Sequence, residues 1–225
     1  MHIEPGIVNG AKIVLSYATA AGAAGYTLKL GLQAIRTKGL TSLALRSLIT
    51  TVMVFGFFQV LPHYPVGVSE VHFILGSTLF LLFGAAPAAI GLAAGLLLQG
   101  VFFAPSDLPQ YGINLTILLV PLFALKLLAS KIIAPNTAYV DLSYTQALAL
   151  STAYQGGVVA WVAFWAFYGA GFGMENITSV LMFGGAYMLV ILIEPLVDLA
   201  VLAGAKSLRD LEKTGLFTER LFRSA

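Results

Sequence analysis

Histidine is scarce in this chain, and its placement is the first chemical signal. The three histidines are His2, His63 and His72, all in the first third of 225 residues. Imidazole nitrogen is a common ligand for nickel, cobalt, copper and zinc. His2 adds a chelating option. A free amine at Met1, the backbone nitrogen of residue 2 and Nδ1 of His2 can reach one ion through small, nearly strain-free rings. Ionising that amide requires a strongly polarising metal and favours a planar, nitrogen-rich sphere, which points to nickel(II) or copper(II), with cobalt(II) also open. A nitrogen from His72 would close the plane. Initiator methionine is normally retained before a residue as large as histidine, so Met1 supplies the amine once deformylated. The plain alternative for His2 is a frayed, solvated terminus. His72 falls at the outer end of an apolar stretch, where an ionisable residue is a functional candidate by default. His63, in Leu61-Pro62-His63-Tyr64-Pro65, reads as an interfacial or gating residue rather than a ligand.

A second constellation is acidic. Glu194 and Asp198 stand four apart, so they share one helix face near the inner end of the last apolar stretch, with Pro195 directly after the first. A proton or cation relay is one role for such a pair; pairing with Lys or Arg at the inner boundary is the preferred expectation. Gln99, Tyr154 and Gln155 read as polar glue between helices.

The elements that must carry these groups follow from composition. The chain is 59% hydrophobic and 10% charged, against roughly 25% charged residues in soluble domains. A soluble fold so poor in charge could not cover its surface. Seven apolar stretches lie at about 8–34, 42–62, 71–84, 88–104, 113–133, 145–169 and 178–204. A bilayer core takes about 20 apolar residues per helical span. The expected fold is therefore all-α and integral to the membrane, with about seven transmembrane helices. The short third stretch joins the fourth through Gly84-Ala85-Ala86-Pro87, and two tilted spans are favoured there over a broken element. The membrane domain covers 1–205, and 206–225 reads as a cytoplasmic amphipathic segment at the membrane edge.

Basic residues set the orientation. Arg36, Lys38 and Arg46, then Lys126 and Lys131, then Lys206, Arg209, Lys213, Arg220 and Arg223 fall on one side if seven spans alternate. The opposite loops, 63–70, 105–112 and 171–177, contain no Lys or Arg. The positive-inside rule then puts the N-terminus outside and the C-terminus in the cytoplasm. Glu4, Glu70, Asp107 and Glu175 make the outer mouth weakly acidic, which modestly concentrates cations. No signal peptide is evident at the start, which lacks a basic n-region and carries Glu4.

Several classes are excluded by what is missing. There is no cysteine, hence no disulfide, zinc–thiolate site or cysteine nucleophile. Basic residues do not cluster as a nucleic-acid surface requires. No stretch reads G-x-x-x-x-G-K-[ST], G-x-S-x-G or H-E-x-x-H. The chain is expected not to be an enzyme, and ATP-driven transport would need partner ATPases. Ala18 with Gly22 and Ala20 with Ala24 form small-xxx-small pairs that allow close helix approach, and Gly91 with Gly95 reads as internal packing.

The opening Met1-His2-Ile3-Glu4-Pro5-Gly6 resembles the start of the CbiM/NikM family, the substrate-binding membrane components of energy-coupling-factor transporters for cobalt and nickel. Gly67-Val68-Ser69-Glu70-Val71-His72-Phe73 is similar to that family's stretch ending in serine, two residues and histidine. Gln99-Gly100-Val101-Phe102-Phe103-Ala104 is similar to its glutamine-led helix end, and Gly112-Ile113-Asn114 stands where relatives read Gly-Ala-Asn. The similarity runs in order over nearly the whole chain. It implies that Met1 and His2 enter a pocket near the outer boundary, that His72 is the final ligand, and that Asn114 orients or closes over the terminus. His63, Glu194 and Asp198 remain secondary candidates. Two departures bear on loop closure and metal preference: residues 105–111 lack the family's glycine-rich lead, and Leu115 to Leu118 contain no second asparagine. The resemblance implies nickel or cobalt as transported substrate, with no organic cofactor. It implies as partners a membrane coupling subunit, cytoplasmic ATPase subunits and a small accessory membrane subunit, with no nucleic acid. The location would be the bacterial inner membrane. The rival readings are a stand-alone secondary cation transporter with Glu194 and Asp198 as coupling acids, and a vitamin-binding component of the same transporter type.

Overall fold

The computed structural model describes residues 2–135 and 137–207. Helices dominate: α1 (Ile13–Lys38), α2 (Leu40–Gln59), α3 (Gly76–Phe83), α4 (Ala85–Phe102), α5 (Tyr111–Ile132), α6 (Tyr144–Ala170) and α7 (Met174–Ser207). Between α2 and α3 runs a small antiparallel hairpin, β1 (Tyr64–Val66) and β2 (Ser69–Val71), turning through Gly67 and Val68.

Among the described residues, five helical segments are long and apolar enough to cross a membrane: α2, α4, α5 with its 3-10 lead from Pro105, α6 and α7. The other two helices account for the difference from about seven. α1 has 26 residues but is interrupted by Lys29 and ends on Arg36 and Lys38. α3 has only eight, about 12 Å of helix against a hydrocarbon core of about 30 Å. The third apolar stretch is therefore a broken element rather than a full span, which corrects the two-span expectation for 71–84. Extended chain carries its first part and a half-helix the rest. Non-helical backbone at such depth survives only when protein surrounds it. All eight residues of α3 are buried, and α2, α4, α5, α6 and α7 pack around it.

Glycine makes this break. Gly84 ends α3 at φ 91° and begins α4, a backbone that disfavours side chains with a Cβ. Arg46 of α2 donates from Nη1 to Phe83 O at 2.8 Å, placing a cation on the carbonyl end of α3. Helix α2 lies tight on α4 because Gly91 and Gly95 face Thr50 and Val54: a Cβ at Gly91 would lie 2.3 Å from Thr50 Oγ1, and at Gly95 2.6 Å from Val54 Cγ1. These glycines pack internally, as their spacing predicts.

The last turns of α1, α5 and α7 carry Arg36, Lys38, Lys131 and Lys206 and make the basic end, whereas Lys12 Nζ donates to Gly169 O at 2.7 Å, at the far end of α6. Lys206 Nζ donates to Leu142 O at 2.8 Å, joining the end of α7 to the α5–α6 connection. α7 continues through Lys206 and Ser207, and residues 208–225 of the expected amphipathic segment lie outside the described residues.

Candidate metal centre

Backbone pairing brings the chain's start to the hairpin. Ile3 bridges Ser69 in antiparallel fashion; Glu4 N–H donates to Val68 O at 3.0 Å and Glu70 N–H to His2 O at 3.0 Å. Ser69 Oγ also donates to His2 O, at 2.9 Å. The N-terminal residues thus lie along the hairpin through an isolated antiparallel bridge, and main-chain bonds fix their register. On the far side, Ile3 N–H donates to Asn114 Oδ1 at 2.9 Å. Met1 itself lies outside the described residues.

This lattice sets His2 beside His72. Their ring centroids are 5.5 Å apart and 21° from parallel, and the residues are only 3% and 1% exposed. One potential ligand atom each from His2, Glu70 and His72 lies within 4.8 Å of the others. His63 also stacks on His72, centroids 4.9 Å apart at 3°, and Phe58 meets His72 edge-on at 5.4 Å. His63 is thus a wall against His72; its Nδ1 lies 3.3 Å from Leu61 O.

Each imidazole has one nitrogen held and one left open. His2 Nδ1 bonds the Asp107 carboxylate, and His72 Nε2 bonds Glu70 Oε2 at 2.7 Å. Among the described residues, His2 Nε2 and His72 Nδ1 are buried with no hydrogen-bond partner. Burial is the main cause holding His2 below its ordinary value, with Asp107 pulling the other way. Burial likewise holds His72 well below 6.5, aided by His2 and His63. Neutral rings donate N–H to the carboxylates and keep a lone pair on the open nitrogen. A carboxylate behind an imidazole is the usual outer shell of a histidine–metal bond. Glu4 lies above this group, its carboxyl pushed up by partial burial and then by Glu70 and Asp107.

Residue types alone left Glu70 and Asp107 as mouth acids. Glu70 had a usable signal: two residues before His72, it shares a face with it in extended chain. Asp107 had none, because its reach to His2 spans 105 positions.

Glu194 and Asp198 lie elsewhere, deep in the bundle, and among the described residues their hydrogen-bond partners are not the expected Lys or Arg. Glu194, fully buried, accepts from the backbone N–H of Ile74, from that of Leu75 at 3.0 Å, and from Gln155 Nε2. Asp198 accepts from Ser77 Oγ and Thr78 Oγ1. The free amides of a helix start offer Glu194 donors that need no counter-charge, and the Ser77 and Thr78 hydroxyls offer Asp198 the same. Gln155 and Tyr187 complete the set, the hydroxyl donating to Gln155 Oε1 at 2.8 Å. Gln99 is buried too, but its Oε1 has no partner among the described residues.

The family model described as "Cobalt uptake substrate-specific transmembrane region" matches residues 2–210. No curated protein and no solved structure matches the chain.

Proposed function

Because this chain belongs to the CbiM family of cobalt uptake substrate-specific transmembrane regions, we propose that it captures cobalt(II) or nickel(II) at the outer membrane face, as the substrate-binding subunit of an ATP-driven energy-coupling-factor transporter. The observation that carries this reading is the pair of buried imidazoles, His2 and His72, at 5.5 Å, each backed by a carboxylate and each with an unpartnered nitrogen.

A dehydrated divalent ion recovers its lost water through these nitrogens and the amine of Met1. Asp107 and Glu70 offset its charge. Chelation through the backbone nitrogen of residue 2 uses Nδ1 of His2, so Asp107 releases that atom in this mode; bonding through Nε2 leaves Asp107 in place behind the ring. Either sphere is rich in nitrogen and suits nickel or cobalt. Asn114 orients the terminus by holding Ile3. His63 shields the site from above His72.

The basic end of the bundle faces the cytoplasm and the histidine end faces outward. The membrane is the bacterial inner membrane. Release inward follows movement of the subunit against a coupling subunit, driven by separate ATPases. Ala18 and Gly22 stand on the exposed face of α1 and offer that partner a close approach.

The deciding experiment is metal analysis of the purified chain beside a form with one added N-terminal residue, and beside His2→Ala and His72→Ala. The native chain is expected to hold about one cobalt or nickel per chain, from the single site, and the three altered forms much less. Equal loading in all four would refute the site.

A further inference from the structure

His72 is the last residue before the chain plunges toward α3, and two residues later its backbone is gripped. Ile74 N–H and Leu75 N–H both donate to the Glu194 carboxylate, one to each oxygen. In extended chain Ile74 lies only about 7 Å beyond His72. Leu75 adopts the left-handed region, φ 52°, which non-glycine residues seldom occupy without firm support. Gly76, next in line, lies against Tyr154: a Cβ there would sit 2.2 Å from the ring. One turn further along α7, Asp198 holds the hydroxyls of Ser77 and Thr78. Gln155 bridges Glu194 to Tyr187, so α6 braces the carboxylate.

Two carboxylates this deep are expensive in a membrane protein unless they perform a task. A short helix could be started with a neutral cap such as Ser or Asn. Here the anchor comes instead from another helix, 120 positions away, and fixes the segment immediately after a proposed ligand. On the other flank the hairpin pairs with the N-terminal residues. His72 is therefore suspended between an outer support that also carries His2 and an inner support that belongs to α7.

We propose that Glu194, reinforced by Asp198, is a positioning residue for His72: by capping α3 from α7 it sets the depth and direction of the imidazole and ties metal affinity to the placement of α7. This rests on the metal-capture reading above. It adds that α7, which supplies no ligand, controls the site.

The test is a cobalt(II) titration of the full-length chain in detergent, following the ligand-field absorption bands together with the dissociation constant. Wild type, His72→Ala, Glu194→Gln and Thr116→Val are compared. Thr116→Val removes a buried bond from Trp165, between α5 and α6 and outside the Glu194 and Asp198 contacts, and controls for loss of stability. Glu194→Gln keeps one acceptor oxygen but turns an NH2 group toward an N–H donor. It is expected to bind one cobalt about 10- to 100-fold more weakly, the range for lost outer-shell partners, with shifted bands. Thr116→Val is expected to keep the wild-type constant and bands even where its melting point falls. If Glu194→Gln cannot be recovered folded, Ser77→Ala with Thr78→Val reads the same quantity through Asp198. Wild-type affinity and bands in whichever of these is measured would overturn the proposal. Absence of cobalt binding by wild type, or its indifference to His72→Ala, would instead overturn the capture reading on which this rests.

Discussion

The ring nitrogens of His2 and His72 divide their labour between a carboxylate behind and an open side in front. Depressed basicity keeps that open side usable. Burial holds His72 well below 6.5, so its neutral form persists into mildly acid solution, and protons compete with metal at this ring only further down. The same shift has a consequence for folding. In the unfolded chain the ring takes up a proton near 6.5, before the folded protein does. His72 therefore contributes stability that is complete above about pH 6.5 and is lost as the pH falls from there toward the folded value. Melting of the metal-free chain is expected to occur at lower temperature at pH 5.5 than at pH 7.5, with a smaller difference in His72→Gln; identical pH dependence in both would contradict this. Asp107 and Asn114 act on the neighbouring proposed ligand, His2. Asp107→Asn still fills the space but weakens the acceptor for His2 Nδ1, and metal binding is expected to weaken about 10- to 100-fold in competition assays. Asn114→Ala strands the buried Ile3 N–H, costing about 1–3 kcal/mol; an unchanged dissociation constant would show that the terminus needs no such tether.

The hairpin and α3 translate these residue contacts into geometry. Gly67 turns the hairpin at φ 60°, and a Cβ there would lie 2.0 Å from Ser179 O of α7. The hairpin is thus seated on α7 by backbone approach. Gly67→Ala combines about 1–2 kcal/mol for the left-handed backbone with about 1–3 kcal/mol of overpacking. It is expected to lower the melting temperature and weaken metal binding together. Gly22, in the middle of α1 with open space where a Cβ would point, makes the opposite case. Gly22→Ala is expected to raise stability by about 0.5–1 kcal/mol and leave metal binding alone, as thermal melts and titration would show. The contrast separates glycines required by contact within this chain from those with open space beside them.

At the scale of the molecule, the expected sidedness can be read directly because the chain has no cysteine. Tyr64, two-thirds exposed at the start of the hairpin, and Lys131, exposed at the basic end, mark the two ends. In intact cells, Tyr64→Cys is expected to react with a membrane-impermeant maleimide and Lys131→Cys only after permeabilisation. The reverse pattern would put the histidines in the cytosol and remove the capture reading. The same two ends differ in what holds them. At the histidine end the chain's start is laced to the hairpin, whereas at the basic end Arg46 and Lys206 tie helix ends and connections together.

Composition and local pattern sufficed for properties that every residue senses independently. Scarcity of charge makes the chain a membrane protein, the lopsided Lys and Arg predict its sidedness, and His2, His72 and Asn114 stand out by type and motif. Gly91 and Gly95 announce their packing by spacing alone. Other features depend on partners far along the chain, and no window of sequence contains them. The run 71–84 is apolar enough for a span, yet it breaks because Glu194 supplies a helix start inside the bundle and Gly84 an end. Asp107 is an ordinary loop acid until the fold sets it against His2. The N-terminal residues line the hairpin only because Val68 O, Ser69 Oγ and Glu70 N–H meet their backbone. Hydropathy measures what each side chain would rather avoid, which is water. Where a buried polar group finds its partner is decided by three-dimensional closure alone.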